Sequence, residues 1–303
     1  MKSSAARSTV PGDTDDVTGI ARHFSIEATF PTEKEIDALK ARAPAGTRVY
    51  LACPPAHSPD RLVGYARLVR GAGFEPVPHL TARTYSDAAT LSAVLARLRG
   101  EADVQTALVI AGDRDNQAGP FGSALDLIES DALQNHGIRE IGIAGYPDGH
   151  PKIADDALAR ALTDKLAAAA RRELVVHIAT QLCFDPQMIL SWVRRLRAAG
   201  IDTPVRVGVA GPTSMRALLR FALRCGVRTS LKGALNPKAM QLLSETAPDE
   251  IIRTLGEAAA HEPLGALAIH YFSFGGLLTT ADWAVAVAEA RIEMKPVGFR
   301  VLR

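Results

Sequence analysis

Cysteine is scarce. Cys53, Cys183 and Cys225 are the only three in 303 residues, and no two stand at Cys-x-x-Cys spacing. Neither a disulfide framework nor a thiolate metal site is indicated, and a reducing, cytoplasmic setting is expected. The eight histidines are scattered, with no His-x-x-x-His pair, so no metal site is expected. Charge of one sign is lacking too. With 35 basic and 33 acidic residues interspersed, a net +2 gives no nucleic-acid footprint. No apolar run is long enough to span a membrane, and the opening residues have no signal-peptide core, so no membrane partner is expected. Walker loops and Gly-x-Ser-x-Gly elbows are absent. Lysine is rare near strand ends, Lys232 being the nearest candidate, which argues against Schiff-base chemistry.

What is present is alternation. Residues 1–20, rich in Ser, Thr, Asp and small side chains, read as a disordered tail. After them, short apolar runs alternate with helical periods: strands over 23–28, 48–53, 75–81, 106–110, 140–144, 174–181, 205–209 and 266–274. The helices include one opening at Thr32 with Glu35 at capping-box spacing, one over 123–133, and one capped by Thr213 and Ser214. An additional segment over 237–260 precedes the last strand, and a final helix covers 280–294. The strands read as continuously apolar, as in a parallel sheet covered on both faces. Eight strand–helix units over residues 21–303 predict an α/β, single-domain (β/α)8 TIM barrel. The doubly wound alternative would place Gly-x-Gly-x-x-Gly after the first strand, where Glu27-Ala28-Thr29-Phe30-Pro31 stands instead.

Barrel active sites form where strands end, so polar residues there are the candidates. Glu27, at the end of the first strand between apolar chain neighbours, reads either as a desolvated general acid with a raised pKa or as an ion-paired strand end. Asp113 follows Gly112 at a turn where backbone can approach a flat ligand, and its carboxylate suits the paired N–H donors of a pterin; a turn cap is the alternative. Gln181 both donates and accepts, which suits a heterocycle edge or a loop tie. His79, Thr180, Tyr146 and His150 lie at the same rim, and the seventh strand opens onto Gly211-Pro212-Thr213-Ser214 with Met215 beyond.

With those residues in hand, the chain resembles the methylenetetrahydrofolate reductase family over nearly its whole length after residue 20. The matching stretches are Phe24-Ser25-Ile26-Glu27, residues 75–81, Gly112-Asp113, residues 144–151, residues 180–185, residues 199–205 and Ile269-His270-Tyr271-Phe272. The resemblance implies interconversion of 5,10-methylenetetrahydrofolate and 5-methyltetrahydrofolate, with NAD(P)H reducing a bound FAD that passes hydride to folate. It assigns Glu27 and Asp113 to catalysis, and Asp113, Gln181, Thr180 and Met215 to folate. It assigns His79, Gly112, Tyr146, His150, Lys165 and Phe272 to the cofactor. A folate derivative is the expected partner, and homo-oligomers are common among such proteins.

Departures from the family pattern gather at the flavin. Ala111 stands where an arginine is usual, and Ala161, Asp164 and Lys165 stand where Asn, Arg and Lys hold the FAD ribityl and phosphates. Losing a guanidinium and gaining a carboxylate beside a diphosphate is unfavourable on both counts. Residues 51–55 and Phe274-Gly275-Gly276 depart as well. Two readings stay open: FAD held through rearranged contacts, or hydride passed directly from NAD(P)H. A folate-dependent methyl or one-carbon transferase and a non-catalytic folate-binding barrel are the alternatives of other classes.

Overall fold

A computed structural model describes residues 14–52, 59–218 and 245–302. Eight parallel strands close into one barrel: β1 Ser25–Thr29, β2 Arg48–Ala52, β3 Glu75–Thr81, β4 Thr106–Ile110, β5 Glu140–Gly145, β6 Val175–Thr180, β7 Val205–Ala210 and β8 Leu267–Phe272. Each pairs with its neighbours in sequence, and β8 closes on β1 with Glu27 opposite Phe272. The predicted (β/α)8 barrel is what the chain forms. Cys53, Cys225, Lys232, Pro54 and Pro55 lie outside the described residues.

Helices α1 Thr14–Ala21, α2 Glu33–Lys40, α3 Pro59–Gly71, α4 Ala88–Ala102, α5 Ala124–Glu129, α6 Ala132–Asn135, α7 Asp155–Arg171, α8 Pro186–Ala198, α9 Asp249–His261 and α10 Leu277–Ala288 surround it. Local chemistry starts them. Thr32 and Glu35 form the expected capping box on α2. Asp185 accepts from the Gln187 and Met188 amides, and Pro186 opens α8. The inward stripe Ile189, Leu190, Val193 and Leu196 then packs α8 against the strands.

Several boundaries differ from the sequence reading. The expected tail gives way by Thr14: α1 buries Val17, Ile20 and Ala21, and packs on α9 where Gly256 admits its backbone. Three apolar buried positions in eight residues outweigh the polar composition around them. The helix expected over 123–133 is two, because Ser130 leaves helical backbone at the end of α5. The final helix ends at Ala288, and Ile292–Met294 pairs with Phe299–Val301 in a hairpin closed at Gly298. Thr213 and Ser214 pair with Thr246 and Glu245 as a two-residue ladder, and Ser214 also accepts from the Ala217 amide. Residues 219–244, including the start of the expected 237–260 segment, lie outside the described residues.

The strands are not continuously apolar. Their outward faces are: Ile26, Val49, Leu51, Leu80, Val109, Ile141, Ile178, Val207 and Ile269 are buried beneath the helices. The inward faces carry Ser25, Glu27, Arg48, Tyr50, His79, Glu140, His177, Arg206 and His270 at every second position. Contacts between strands that are not neighbours prove that these side chains cross the lumen. Tyr50 on β2 reaches His177 on β6, and Arg48 on β2 reaches Glu140 on β5. Apolar layers usually fill such a barrel; here Val77, Leu108 and Ala179 pack around Tyr50 as a small apolar cluster within a polar lumen.

Candidate active site

The floor of the lumen is an ion pair. Arg48 donates to both oxygens of Glu140, at 2.5 and 2.6 Å, the fork-to-carboxylate geometry that a guanidinium favours. Glu140 Oε1 also accepts from His177 Nδ1 at 2.8 Å. Burial pushes the Glu140 carboxyl up, but His177 and Arg48 outweigh it and hold it down at about 2. Above this floor, His177 Nε2 lies 2.5 Å from the Tyr50 hydroxyl, and burial keeps that phenol protonated, pushed up to about 12. The Tyr50 ring lies 4.5 Å from His270 and 6.2 Å from His79, centroid to centroid.

Glu27 sits at the top of this column. Its Oε2 is 3.6 Å from His79 Nε2 and 3.8 Å from His270 Nε2, and its side chain keeps 15% exposure. These contacts are longer than hydrogen bonds, as catalytic contacts commonly are before substrate arrives. The expected raised pKa is corrected. Desolvation raises it, but the facing His270 and His79 imidazoles outweigh that, and the net shift is downward. The apolar neighbours in the chain, Ile26 and Ala28, face the helices; Glu27 meets side chains from β3 and β8 instead. His79, expected at the cofactor, is buried against Glu27, and its Nε2 has no hydrogen-bond partner. Desolvation outweighs the Glu27 carboxylate and lowers the His79 pKa, which keeps that imidazole neutral near pH 7.

Around the rim the other candidates separate. Asp113 is exposed beyond Gly112, whose φ of +90° strains any side chain and where a Cβ would crowd Thr81. Desolvation first, and the nearby Asp113 carboxylate second, raise the pKa of Tyr146, whose ring meets His150 edge-on at 5.3 Å. Gln181 is half-buried; its Oε1 accepts from the Leu182 amide, leaving its NH2 for a ligand. Met215 is half-buried beyond β7, and Phe272 stacks on Phe274 at 5.4 Å. Thr180, expected at the folate, shares the outward face of β6 with Ile178, is 3% exposed, and accepts from the Gly208 amide, which ties β6 to β7.

The flavin-facing helix is equally informative. Ala161 and Asp164 are exposed on α7, while Lys165 is turned into its buried stripe with Leu162, Ala168 and Ala169. Burial pushes the Lys165 amine down to about 8. The exposed face therefore offers a diphosphate an acid and a methyl group, and the remaining cation points elsewhere. These residues do not fit the FAD phosphates.

Sequence reading overlooked Ser25, Arg48, Tyr50, Glu140, His177, Arg206 and His270 as a group. The available signal was period-two placement of polar residues in runs taken as wholly apolar. Among the described residues no group of His, Cys, Asp and Glu could hold a metal, and no helix is long and apolar enough to cross a membrane.

Comparison with known proteins places this arrangement. A family model described as methylenetetrahydrofolate reductase matches residues 60–257. Methylenetetrahydrofolate reductase 2 of Saccharomyces cerevisiae is 30% identical over 128 residues, 39% of this chain and 20% of that protein. Methylenetetrahydrofolate reductase (NADH) 1 of Arabidopsis thaliana is 29% identical over 153 residues, 44% of this chain and 25% of that protein. The chain thus spans a fifth to a quarter of the length of these relatives. An uncharacterized protein from Clostridium thermocellum, described as binding two copies of 5-methyl-5,6,7,8-tetrahydrofolic acid, shares the fold with a TM-score of 0.56 at 10% identity. That match covers 90% of this chain and 96% of that one.

Proposed function

This chain belongs to the methylenetetrahydrofolate reductase family, and from that premise we propose that it interconverts 5,10-methylenetetrahydrofolate and 5-methyltetrahydrofolate, with Glu27 as general acid. The observation that carries the reading is a carboxyl group at the mouth of a polar lumen, faced by two buried imidazoles. The imidazolidine ring must open before its carbon accepts hydride, and protonating the departing nitrogen makes that possible. In the free protein Glu27 favours the carboxylate. A pterin lying over it displaces the remaining water, and this desolvation raises its pKa so that it takes up the proton it will give. Asp113 and the Gln181 NH2 group suit the pterin edge. NAD(P)H supplies the hydride when bound.

The second reading concerns how that hydride arrives. Exposed Ala161 and Asp164 and inward Lys165 favour direct transfer from NAD(P)H over a bound flavin. An anaerobic assay with each nicotinamide, with and without added FAD, tests both readings. Turnover without FAD is expected; flavin absorbance in the purified protein overturns direct transfer. Glu27→Gln is expected to lose about 10²–10⁴-fold in kcat. A variant that binds folate and keeps full turnover overturns the acid role, whereas folate binding by the unaltered protein without turnover of either nicotinamide leaves a transferase or a folate-binding barrel.

A further inference from the structure

Two imidazoles of the lumen carry their hydrogen on opposite nitrogens, and their partners decide which. His177 Nδ1 lies 2.8 Å from Glu140 Oε1, and an ionised carboxylate only accepts, so the hydrogen is on Nδ1. His177 Nε2 then accepts from the Tyr50 hydroxyl. His270 is reversed. Its Nδ1 lies 3.0 Å from Ser25 Oγ, and that oxygen also accepts from the Arg206 guanidinium at 3.2 Å. A guanidinium only donates. Ser25 is fully buried, and His270 Nδ1 is the acceptor that remains for its single hydrogen among the described residues. Were Nδ1 the donor, the serine hydrogen would be left unpaired in a dry site, the costly arrangement for a buried hydroxyl. The hydrogen on His270 is therefore at Nε2, the nitrogen that faces Glu27.

We propose that Ser25, backed by Arg206, is a positioning residue for the proton-donor site: it locks His270 as the Nε2–H tautomer and so aims an N–H at the Glu27 carboxyl group. The proposal rests on the reading of Glu27 as general acid. His79 from β3, His270 from β8 and the Tyr50 ring from β2 surround that carboxyl group, with Arg48, Glu140, His177 and Arg206 filling the lumen beneath. Arg206 is itself fixed by donating to the His23 carbonyl at 3.0 Å, so the relay begins at the barrel floor and ends at the mouth. Without the serine hydroxyl, His270 is free to turn its Nε2 lone pair toward Glu27. That lone pair favours the protonated carboxyl group and competes with the substrate nitrogen for its hydrogen.

The tautomer can be read without any activity. In the full chain labelled with ¹⁵N-histidine, two-bond nitrogen–proton couplings distinguish Nδ1–H from Nε2–H, and the His270 signals are identified by their loss in His270→Gln. The expected result is Nε2–H at His270 and Nδ1–H at His177. Ser25→Ala should move His270 to the other tautomer or a mixture and leave His177 unchanged, and Ser25→Thr should restore it. Arg206→Met, which frees the serine oxygen of its donor, gives a second measurement should Ser25→Ala fold poorly; a mixture at His270 is expected. Finding Nδ1–H at His270 in the unaltered protein, or an Nε2–H tautomer untouched by both variants, overturns the relay. In the folate assay Ser25→Ala should lower kcat about tenfold, less than the 10²–10⁴-fold that a positioned acid supplies in full, with KM little changed. Its alkaline limb should move to higher pH. A tautomer that moves while the pH profile stays put overturns the link to Glu27. Full turnover in Glu27→Gln overturns the acid reading instead and leaves the tautomer result standing.

Discussion

Glu27 is drawn in two directions: burial favours the neutral carboxyl group, while the imidazoles of His79 and His270 favour its charge and prevail. A group that must be protonated to act gives full activity below its pKa and loses it above. Because the shift in the free protein is downward from 4.5, kcat/KM should already be falling above the ordinary glutamate range. Folate covering the site removes water and pushes the other way, so the alkaline limb of kcat should lie at higher pH than that of kcat/KM. Separate pH profiles of the two constants check this, and coincident limbs would contradict the proposed uptake of a proton on binding. Lys165 illustrates the same desolvation with nothing opposing it. Its amine is pushed down to about 8 because α7 packs it among Leu162, Ala168 and Ala169.

Among the elements, α8 shows how one cap serves the rim. Asp185 accepts two amides at the first turn, directly after the Thr180–Gln181 loop that carries a folate candidate. Asp185→Ala should cost about 1 kcal/mol of stability in a urea titration, the usual value of such a cap. Gly112 sits at the matching position after β4, and Gly112→Ala should be destabilising, since a Cβ there meets Thr81 at 3.0 Å on a backbone of φ +90°. Features set by near neighbours in the chain were legible: the capping box at Thr32 and Glu35, the Asp185-Pro186 start, and the eight strand–helix units. The Glu27 position was legible because a rim residue is defined by where its strand ends. Its surroundings were not, because His79 and His270 are 52 and 243 positions away in the chain, and barrel closure alone brings them together. α1 was hidden for a similar reason, its apolar residues acquiring meaning only from α9.

At the scale of the whole barrel, the Arg48–Glu140–His177 cluster couples stability to acidity. Glu140 is held at about 2 against an ordinary 4.5, so its contribution is fully present above 4.5 and is lost as pH falls through about 2. Partial exposure reduces that contribution to about 2 kcal/mol. Glu140→Gln should lose a similar amount at pH 7 and should flatten the fall in melting temperature between pH 4.5 and 2. Calorimetry across that window checks both, and an unchanged slope would show the pair to be stability-neutral. The contacts that cross the lumen also have a mechanical consequence. Arg48 to Glu140 and Tyr50 to His177 act as spokes across a hoop, joining strands on opposite arcs. A hoop braced from within resists being squeezed into an oval. The bore at the mouth should therefore hold its diameter as ligands come and go, leaving adjustment to the loops around it.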